Sequence, residues 1–288
     1  MTWQALATGY LILGTAGYLV RRQLAQTLTE HNRIINGFFY LGMLWPLGLV
    51  VAAFSSPDLA IGWLNVAFLL AGSVMFPLIA LTAYKASEHV DAGLYTILNN
   101  ITPIITIITA SVLLSESLNS QQLYGAIIII ASAFIVTLPR FHKSSKTSSA
   151  GIALALTSVT ILGFAIVFER WMLTRIDFGA YLVFGWGAQT LWMTIFAWKD
   201  RSEYKILLDK KNFRPILLYC VSNSFKGVCF VGALKVSGNA SVVSAFTSFL
   251  AVLVVVSAYF ILKEKEALVL KLSAAAIGTT GLIILSTG

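Results

Sequence analysis

Charge is scarce in this sequence. Only 11% of its 288 residues are charged, whereas 58% are hydrophobic and the mean hydropathy is +0.83. A soluble domain has about 25% charged residues, and the few present here could not cover the surface of a folded core of this size. The composition therefore excludes a water-soluble globular domain and predicts an integral membrane protein.

Cysteine and histidine are also rare, with two and three copies. Cys220 and Cys229 lie in one apolar segment, about 13.5 Å apart along a helix, which excludes a disulfide between them. His31, His89 and His142 fall in predicted loops, so no metal-ligand cluster is expected. No GxxxxGK[ST] motif is present, and we expect neither a cofactor nor direct use of ATP.

Ten apolar segments succeed one another along the chain, and most are about twice as long as the strands of a membrane barrel. The predicted fold class is therefore an all-α integral membrane protein with ten transmembrane helices. The first segment is followed, not preceded, by arginines, so we interpret it as a span and not as a signal peptide. The segments are Trp3–Val20, Ile35–Phe54, Ile61–Tyr84, Ala92–Leu114, Leu123–Leu138, Ala150–Trp171, Tyr181–Trp198, Ile216–Val236, Val242–Leu262 and Leu270–Leu285.

Short matches at a nearly constant offset relate the two halves of the chain. Five spans is an odd number, so two tandem copies would enter the membrane from opposite sides and form an inverted repeat. We expect a first five-helix unit over residues 1–140, a linker over 141–149 and a second unit over 150–288. The matches are Ala83–Ser87 with Ala233–Ser237, Leu113–Glu116 with Ile261–Glu264, and Gly14 with Gly163, at offsets of 150, 148 and 149.

The basic residues predict the orientation. The odd-numbered loops carry 16 Lys and Arg and the even-numbered loops carry 3, which places the odd-numbered loops in the cytoplasm and both termini outside, in the plasma (inner) membrane. The loop 199–214 holds six of these charges and is either an amphipathic helix on the membrane surface or a solvated loop.

These charges lie between apolar segments and form no basic face with interleaved aromatic residues, so we expect no nucleic-acid partner. The expected partners are membrane lipid and a small-molecule substrate. The sequence does not indicate an oligomeric state, and a monomer is compatible with it.

Several residues repeat a recognisable pattern in each half. An Ala-x-Lys-x-Ser string closes the third segment, Pro103 lies within the fourth, Glu116 follows it and Gly125 lies in the fifth. In these features the unit resembles the EamA branch of the drug/metabolite transporter superfamily. The second half keeps Glu264, Gly278 and Gly281 but has Ala251 where the pattern predicts a proline. Members of that family are commonly drawn with cytoplasmic termini, whereas the charges here favour the reverse, and we follow the charges.

The resemblance implies a central cavity between helices one, three, four, six, eight and nine. It also implies export or exchange of amino acids, other metabolites or drugs.

Lys226 lies at the middle of the eighth segment. A cationic side chain at that depth costs about 2.5–3.5 kcal/mol on insertion scales, so it usually faces a cavity or a partner. It either attracts a carboxylate, phosphate or other electron-rich group of a substrate, or is held structurally by carbonyls or a carboxylate. Asn223 lies three residues earlier on the same helix face, which predicts that both line one cavity.

Glu169 lies near the end of the sixth segment. It is a candidate for coupling, by pairing with Lys226 or by taking up a proton, and the alternative is a side chain that extends to the membrane interface. Helix rise separates it from Lys226 by about 10 Å along the membrane normal, which favours the interfacial interpretation.

Polar residues cluster in the fourth segment, where Tyr95, Asn99 and Asn100 precede Pro103. Proline cannot donate a hydrogen bond to the carbonyl group of Asn99, which then needs another partner or a cavity. The cluster predicts a substrate-facing kink or, alternatively, an interhelical hydrogen bond.

Three aromatic residues, Tyr10, Phe76 and Trp186, are further candidates for substrate contact. They could stack on an aromatic or cationic solute, and the alternative is that they only pack between helices.

The favoured function is a secondary transporter, an exporter or exchanger of small organic metabolites such as amino acids, that works by alternating access. A nucleotide-sugar carrier and a cation or drug carrier of the same architecture are the alternatives. An intramembrane enzyme would need paired acids or a nucleophile with its base at membrane depth, where only Lys226 and Glu169 are ionisable, so we do not expect an enzyme. A channel is a further alternative with little support from the repeat.

Overall fold

The chain is almost entirely helical. The computed structural model describes residues 1–28, 31–89, 98–137, 148–261 and 268–288, and these ranges contain helices and no strand. A helix satisfies its own backbone hydrogen bonds, which is why continuous apolar segments adopt it at membrane depth. The predicted class of an all-α integral membrane protein is confirmed.

Every predicted segment overlaps one or two of the observed helices. Two turns are π-helical, Phe39–Leu44 in the second helix and Tyr181–Gly185 in the eighth. The helices are α1 (Trp3–Thr27), α2 (Asn32–Ser55), α3 (Gly62–Ser73), α4 (Met75–His89), α5 (Thr102–Leu114), α6 (Ser120–Thr137), α7 (Ser149–Arg175), α8 (178–197), α9 (Lys210–Ser237), α10 (Ala240–Thr247), α11 (Leu250–Ile261) and α12 (Leu268–Thr287).

Four stretches of helix in the described ranges are long and apolar enough to cross a bilayer. They are Asn32–Ser55, Gly62–Ala83, Ser149–Arg175 and Lys211–Ser237. Shorter apolar helices, among them Thr102–Leu114, belong to segments that a break divides or that adjoin undescribed residues.

Proline accompanies a break in two of the spans, of which the one at Pro103 was predicted. The third span turns at Val74, between α3 and α4 and three residues before Pro77. The fourth span is non-helical at residues 100–101, and Pro103 is the second residue of α5. The ninth span has a matching break at residues 248–249, although no proline follows it. The breaks at 100 and 248 lie 148 residues apart, the offset that also separates Glu116 from Glu264.

Helices of each half pack against helices of the other half. The first span, α1, packs on the eighth, α9, while the sixth, α7, packs on the third, α4. Likewise α5 of the fourth span contacts α7, and α11 of the ninth contacts α1. Two equivalent units related by a twofold axis would produce this exchange, since each contact occurs twice with the units interchanged.

The fifth and tenth spans, α6 and α12, are in close contact through glycine. A side-chain carbon added at Gly125 would lie 2.6 Å from the backbone nitrogen of Leu285 and 2.9 Å from the carbonyl oxygen of Gly281. Only residues without a Cβ atom allow the two backbones to approach this closely.

Contacts between loops define two ends of the molecule. At one end, His31 Nδ1 lies 2.9 Å from Glu203 Oε2 and Arg33 Nη1 lies 3.3 Å from Asp200 Oδ2, which joins the first loop to the seventh. We call this the odd-loop end. The basic stretch that follows the seventh span is a 3₁₀ helix, Trp198–Leu208.

The opposite end gathers the even-numbered loops. The backbone N–H of Asp58 donates to Asp177 Oδ2 over 3.1 Å, which joins the second loop to the sixth. Asn119 of the fourth loop donates to the carbonyl oxygen of Gly288, so the C-terminus lies at the same end. We call this the even-loop end.

Candidate functional site

Lys226 lies at the interface between α9 and α1. Its ammonium group is 5.5 Å from the centroid of the Tyr10 ring, and the side chain is half-buried. The Tyr10 ring also contacts Phe230, one turn further along α9, with the centroids 5.3 Å apart. A cation over the face of an aromatic ring is attracted by the ring quadrupole, so Tyr10 fixes the position of the ammonium group.

A glycine of α1 makes room for the lysine stem. A Cβ atom at Gly14 would lie 3.2 Å from Lys226 Cδ and 3.1 Å from Leu250 Cδ1. Leu250 is the first residue of α11, directly after the break in the ninth span. The cation is therefore placed beside a discontinuous helix, as ligand sites in many transporters are.

Asn223 faces the same helix one turn before Lys226. Its amide nitrogen would lie 2.9 Å from a Cβ atom at Gly17, and it donates a 2.8 Å hydrogen bond to the carbonyl oxygen of Tyr219. The structure thus brings together three predicted residues, Lys226, Asn223 and Tyr10, along the α1–α9 interface. We call these three side chains the ammonium site.

The fourth-span residues lie at the break before α5. Asn99 is exposed, Asn100 is 3% exposed, and the Asn100 amide nitrogen has no hydrogen-bond partner among the described residues. Tyr95 lies outside the described residues. The neighbouring hydroxyl group of Thr102 faces the carbonyl oxygen of Val159 in α7 at 3.5 Å.

Trp186 packs between helices. It is 2% exposed, and its ring atoms would lie 2.7 Å and 3.3 Å from Cβ atoms at Gly48 of α2 and Gly227 of α9. Phe76 is half-buried on α4. In this conformation Trp186 supports the back of α9, next to the residue that carries the ammonium group.

Glu169 is deeply buried, at 3% exposure, so the interfacial interpretation of this residue is wrong. Glu169 lies six residues, or about 9 Å, from the end of α7, whereas Lys226 lies about 17 Å from the end of α9. Lys235 Nζ binds the carbonyl oxygen of Leu173 at 2.8 Å, which places those two helix ends at one level. Glu169 and Lys226 therefore lie at different depths along their helices, and the ammonium group of Lys226 lies over Tyr10.

The sequence profile of the EamA-like transporter family matches residues 5–138 and 149–287. The chain belongs to the EamA-like transporter family. It is thus a multi-pass membrane protein built from two EamA repeats, and its family transports small molecules. No functionally curated protein matches the chain.

Solved structures confirm the fold of this EamA-like protein. In total 28 solved chains match. One of them, described as the crystal structure of a protein, superposes with a TM-score of 0.72 at 11% identity and covers 99% of this chain and 97% of its own. At that identity the likeness concerns the fold alone.

Two polar groupings of this EamA-like chain were not found from the sequence. The first joins α5, α7 and α10, where Arg170 Nε lies 2.8 Å from Glu116 Oε1 and the backbone N–H of Ala240 donates to Glu116 Oε2 over 2.7 Å. The recurrence of Glu116 at Glu264 was a signal of a structural role. The second surrounds Glu169 with Tyr181 and Gln189 of α8, and no sequence spacing links these residues.

Proposed function

We propose that this chain is a secondary transporter, an exporter or exchanger of small organic metabolites such as amino acids, in which two inverted five-helix units alternate access to a site between them. The observation that carries the proposal is the ammonium group of Lys226, held at an internal helix interface beside the break of the ninth span. A cation at membrane depth is costly to insert and usually faces a cavity or a polar group, and the positive charge of Lys226 would attract a solute carboxylate or phosphate.

The inversion has structural support. Trp3, at the start of α1, packs on Phe246 of α10, and α10 begins at the even-loop end beside Glu116. In contrast, α7 reaches that end with its last residues, where Arg170 binds Glu116. These contacts support the proposal that the first helices of the two units run in opposite directions, as in an inverted repeat. We infer ten spans, units over 1–140 and 150–288, and a linker over 141–149.

The orientation follows from the charges. We place the odd-loop end in the cytoplasm and the even-loop end, with both termini, outside the plasma (inner) membrane. The paired acids and bases between the first and seventh loops lie at the odd-loop end. Burial there raises the pKa of the Tyr204 hydroxyl group, which stays neutral and packs against Gly37.

In this proposal the ammonium site binds the anionic part of the solute. Lys226 supplies the charge, Asn223 a polar contact and Tyr10 an aromatic surface. Asn99, Asn100, Tyr95 and Phe76 are proposed to contact the solute from the first unit, and a contact with Trp186 would require a change from its packed position.

The test is solute counterflow in proteoliposomes. The purified protein is first screened for thermal stabilisation by a metabolite panel, since ligands of the folded state raise apparent stability. Counterflow of the stabilising solutes is then measured for wild type, Lys226→Met and Lys199→Met, the last being the same change at an exposed lysine. We expect Lys226→Met to abolish counterflow and Lys199→Met to retain it. Equal rates in both variants would refute the role of Lys226.

Of the two alternative functions, the ammonium site favours a nucleotide-sugar carrier over a cation or drug carrier. A nucleotide-sugar carrier must hold a phosphate, which a lysine can neutralise, whereas a cation or drug carrier would meet repulsion from Lys226. Inclusion of nucleotide sugars and quaternary ammonium drugs in the metabolite panel separates the three candidates.

A further inference from the structure

Glu169 is enclosed by polar groups that belong to neighbouring helices. The hydroxyl group of Tyr181, in α8, faces its carboxyl group, and the amide of Gln189 faces the same hydroxyl. The hydroxyl group of Tyr40, in α2, lies within electrostatic range of both Glu169 and Tyr181. The Tyr40 backbone is fixed in turn by the Thr190 hydroxyl group, which donates to its carbonyl oxygen over 3.2 Å.

Two of these polar groups approach their neighbours without making a well-aligned hydrogen bond. Gln189 is 3% exposed and Tyr181 is fully buried, yet neither the Gln189 amide nitrogen nor the Tyr181 oxygen forms a well-aligned hydrogen bond with a described residue. A buried polar atom without a well-aligned partner destabilises the folded state. Two such atoms beside one carboxyl group indicate a hydrogen-bond network that is incomplete in this conformation. Such a network can bind and release a proton or a water molecule.

The basic side chains nearest to Glu169 in sequence and in space are bound elsewhere. Arg170 pairs with Glu116 and donates to the carbonyl oxygen of Gly238 over 2.7 Å. Lys235 is held by carbonyl oxygens at the end of α7, and the ammonium group of Lys226 lies over Tyr10. Among the described residues, Glu169 therefore has no cationic partner.

The described side chains of the other elements packed against α7 supply no charge at this point. The helices α3, α5 and α10 contain no titratable residue, and Lys85 of α4 is exposed. Among the described side chains, the titratable groups that face Glu169 are thus the two phenols, Tyr181 and Tyr40. A carboxylate without a cation or water at membrane depth is strongly disfavoured.

We propose that Glu169 is a proton-binding site of the transport cycle, distinct from the ammonium site, which makes the coupling ion a proton. This inference rests on the proposed function. In the conformation seen here the carboxyl group carries the proton and faces the hydroxyl group of Tyr181. When the contact between α7 and α8 admits water, the O–H bond breaks heterolytically, the proton passes to water, and the carboxylate is hydrated until it takes a proton from water on the other side.

Protonation is tested without any solute. Infrared spectroscopy of the purified protein in lipid at neutral pH reports the C=O stretch of protonated carboxyl groups, and carbon-13 labelling of glutamate assigns it to glutamate. We expect a glutamate band that is absent from Glu169→Gln and retained in Glu203→Gln, where a surface glutamate beside His31 is changed. If Glu169→Gln fails to fold, Glu169→Asp serves instead and should remove the labelled band. A wild-type spectrum without a labelled band, or one unaffected by both Glu169 variants, overturns the proposal.

Coupling is tested in proteoliposomes with radiolabelled amino acids as the probe. An imposed pH gradient should accelerate net uptake by wild type but not by Glu169→Gln, whereas exchange at equal pH on both sides should persist in the variant. Equal acceleration in both proteins overturns the coupling role. Failure of wild type to move any solute would instead refute the proposed function, and the infrared result would still decide the protonation.

Discussion

The guanidinium group of Arg170 and the carboxylate of Glu116 form an ion pair that joins the sixth span to the end of the fourth. The Arg170 and Glu116 side chains are only 14% and 12% exposed. The other carboxylate oxygen accepts the backbone N–H of Ala240, and Arg170 also reaches the carbonyl oxygen of Gly238. One carboxylate therefore links the first unit to two helices of the second at the even-loop end.

Loss of the charge at Glu116 should destabilise the protein. Glu116→Gln leaves the Arg170 guanidinium group partly buried without its counter-charge, and we expect a loss of about 2 kcal/mol. Glu203→Gln is the matched control, because Glu203 is 44% exposed and pairs at the surface, where such pairs contribute about 0–1 kcal/mol. Apparent Tm in detergent ranks the two variants, and an equal shift in both would contradict the structural role of Glu116.

The close contact of α6 with α12 should not tolerate a methyl group. Gly125→Ala places Cβ 2.6 Å from a backbone nitrogen, which cannot move without shifting a helix, so we expect a loss of about 1–3 kcal/mol. At Gly232 the same substitution meets the end of the Leu6 side chain at 3.2 Å, which can rotate away. Thermal unfolding of the two alanine variants provides the comparison. A Gly232→Ala variant as unstable as Gly125→Ala would show that the helices adjust differently.

Solute affinity at the ammonium site should depend on the aromatic ring of Tyr10 and not on its hydroxyl group. Tyr10→Phe keeps the ring face that holds the Lys226 ammonium group, whereas Tyr10→Leu removes an attraction of about 0.5–1 kcal/mol. We expect solute affinity to fall roughly two- to fivefold in Tyr10→Leu and to change little in Tyr10→Phe. The measurement is the solute concentration at half-maximal thermal stabilisation. Equal losses in the two variants would assign the effect to the hydroxyl group.

Thiol labelling in whole cells tests the orientation. Asp58 and Lys199 are exposed at the even-loop and odd-loop ends, so Asp58→Cys should react with an impermeant reagent and Lys199→Cys should react only after permeabilisation. Both changes are made in a background without Cys220 and Cys229. The opposite pattern would place the termini in the cytoplasm, and labelling of both positions from one side would contradict the separation of the loops into two ends.

The helices and one of the two matched breaks could be predicted from the sequence because their causes are local. Long apolar runs require helices in a bilayer, and Pro103 removes a backbone donor. The break at 248–249 has no such cause, since Ala251 can donate a hydrogen bond. There the packing of α10 and α11 against other helices determines the non-helical backbone conformation. These contacts are distant in sequence, so the local sequence does not reveal them.

The candidate site was predicted only in part for the same reason. Lys226 and Asn223 share one helix face, so their proximity follows from helix geometry. The burial of Glu169 depends on Tyr181 and Gln189, which approach it from another helix. Trp186 was predicted as a residue that could stack on a solute. Its ring instead packs against Gly48 of α2 and Gly227 of α9, which are distant from it in sequence, so this contact could not be predicted.

The break in the ninth span separates two anchors that belong to different parts of the molecule. Before it, α10 is tied by Ala240 to Glu116, and after it, Leu250 of α11 rests beside Gly14. Two non-helical residues lie between these anchors. The two halves of the span are therefore held by different neighbours, the first by a carboxylate at the even-loop end and the second by a glycine of α1.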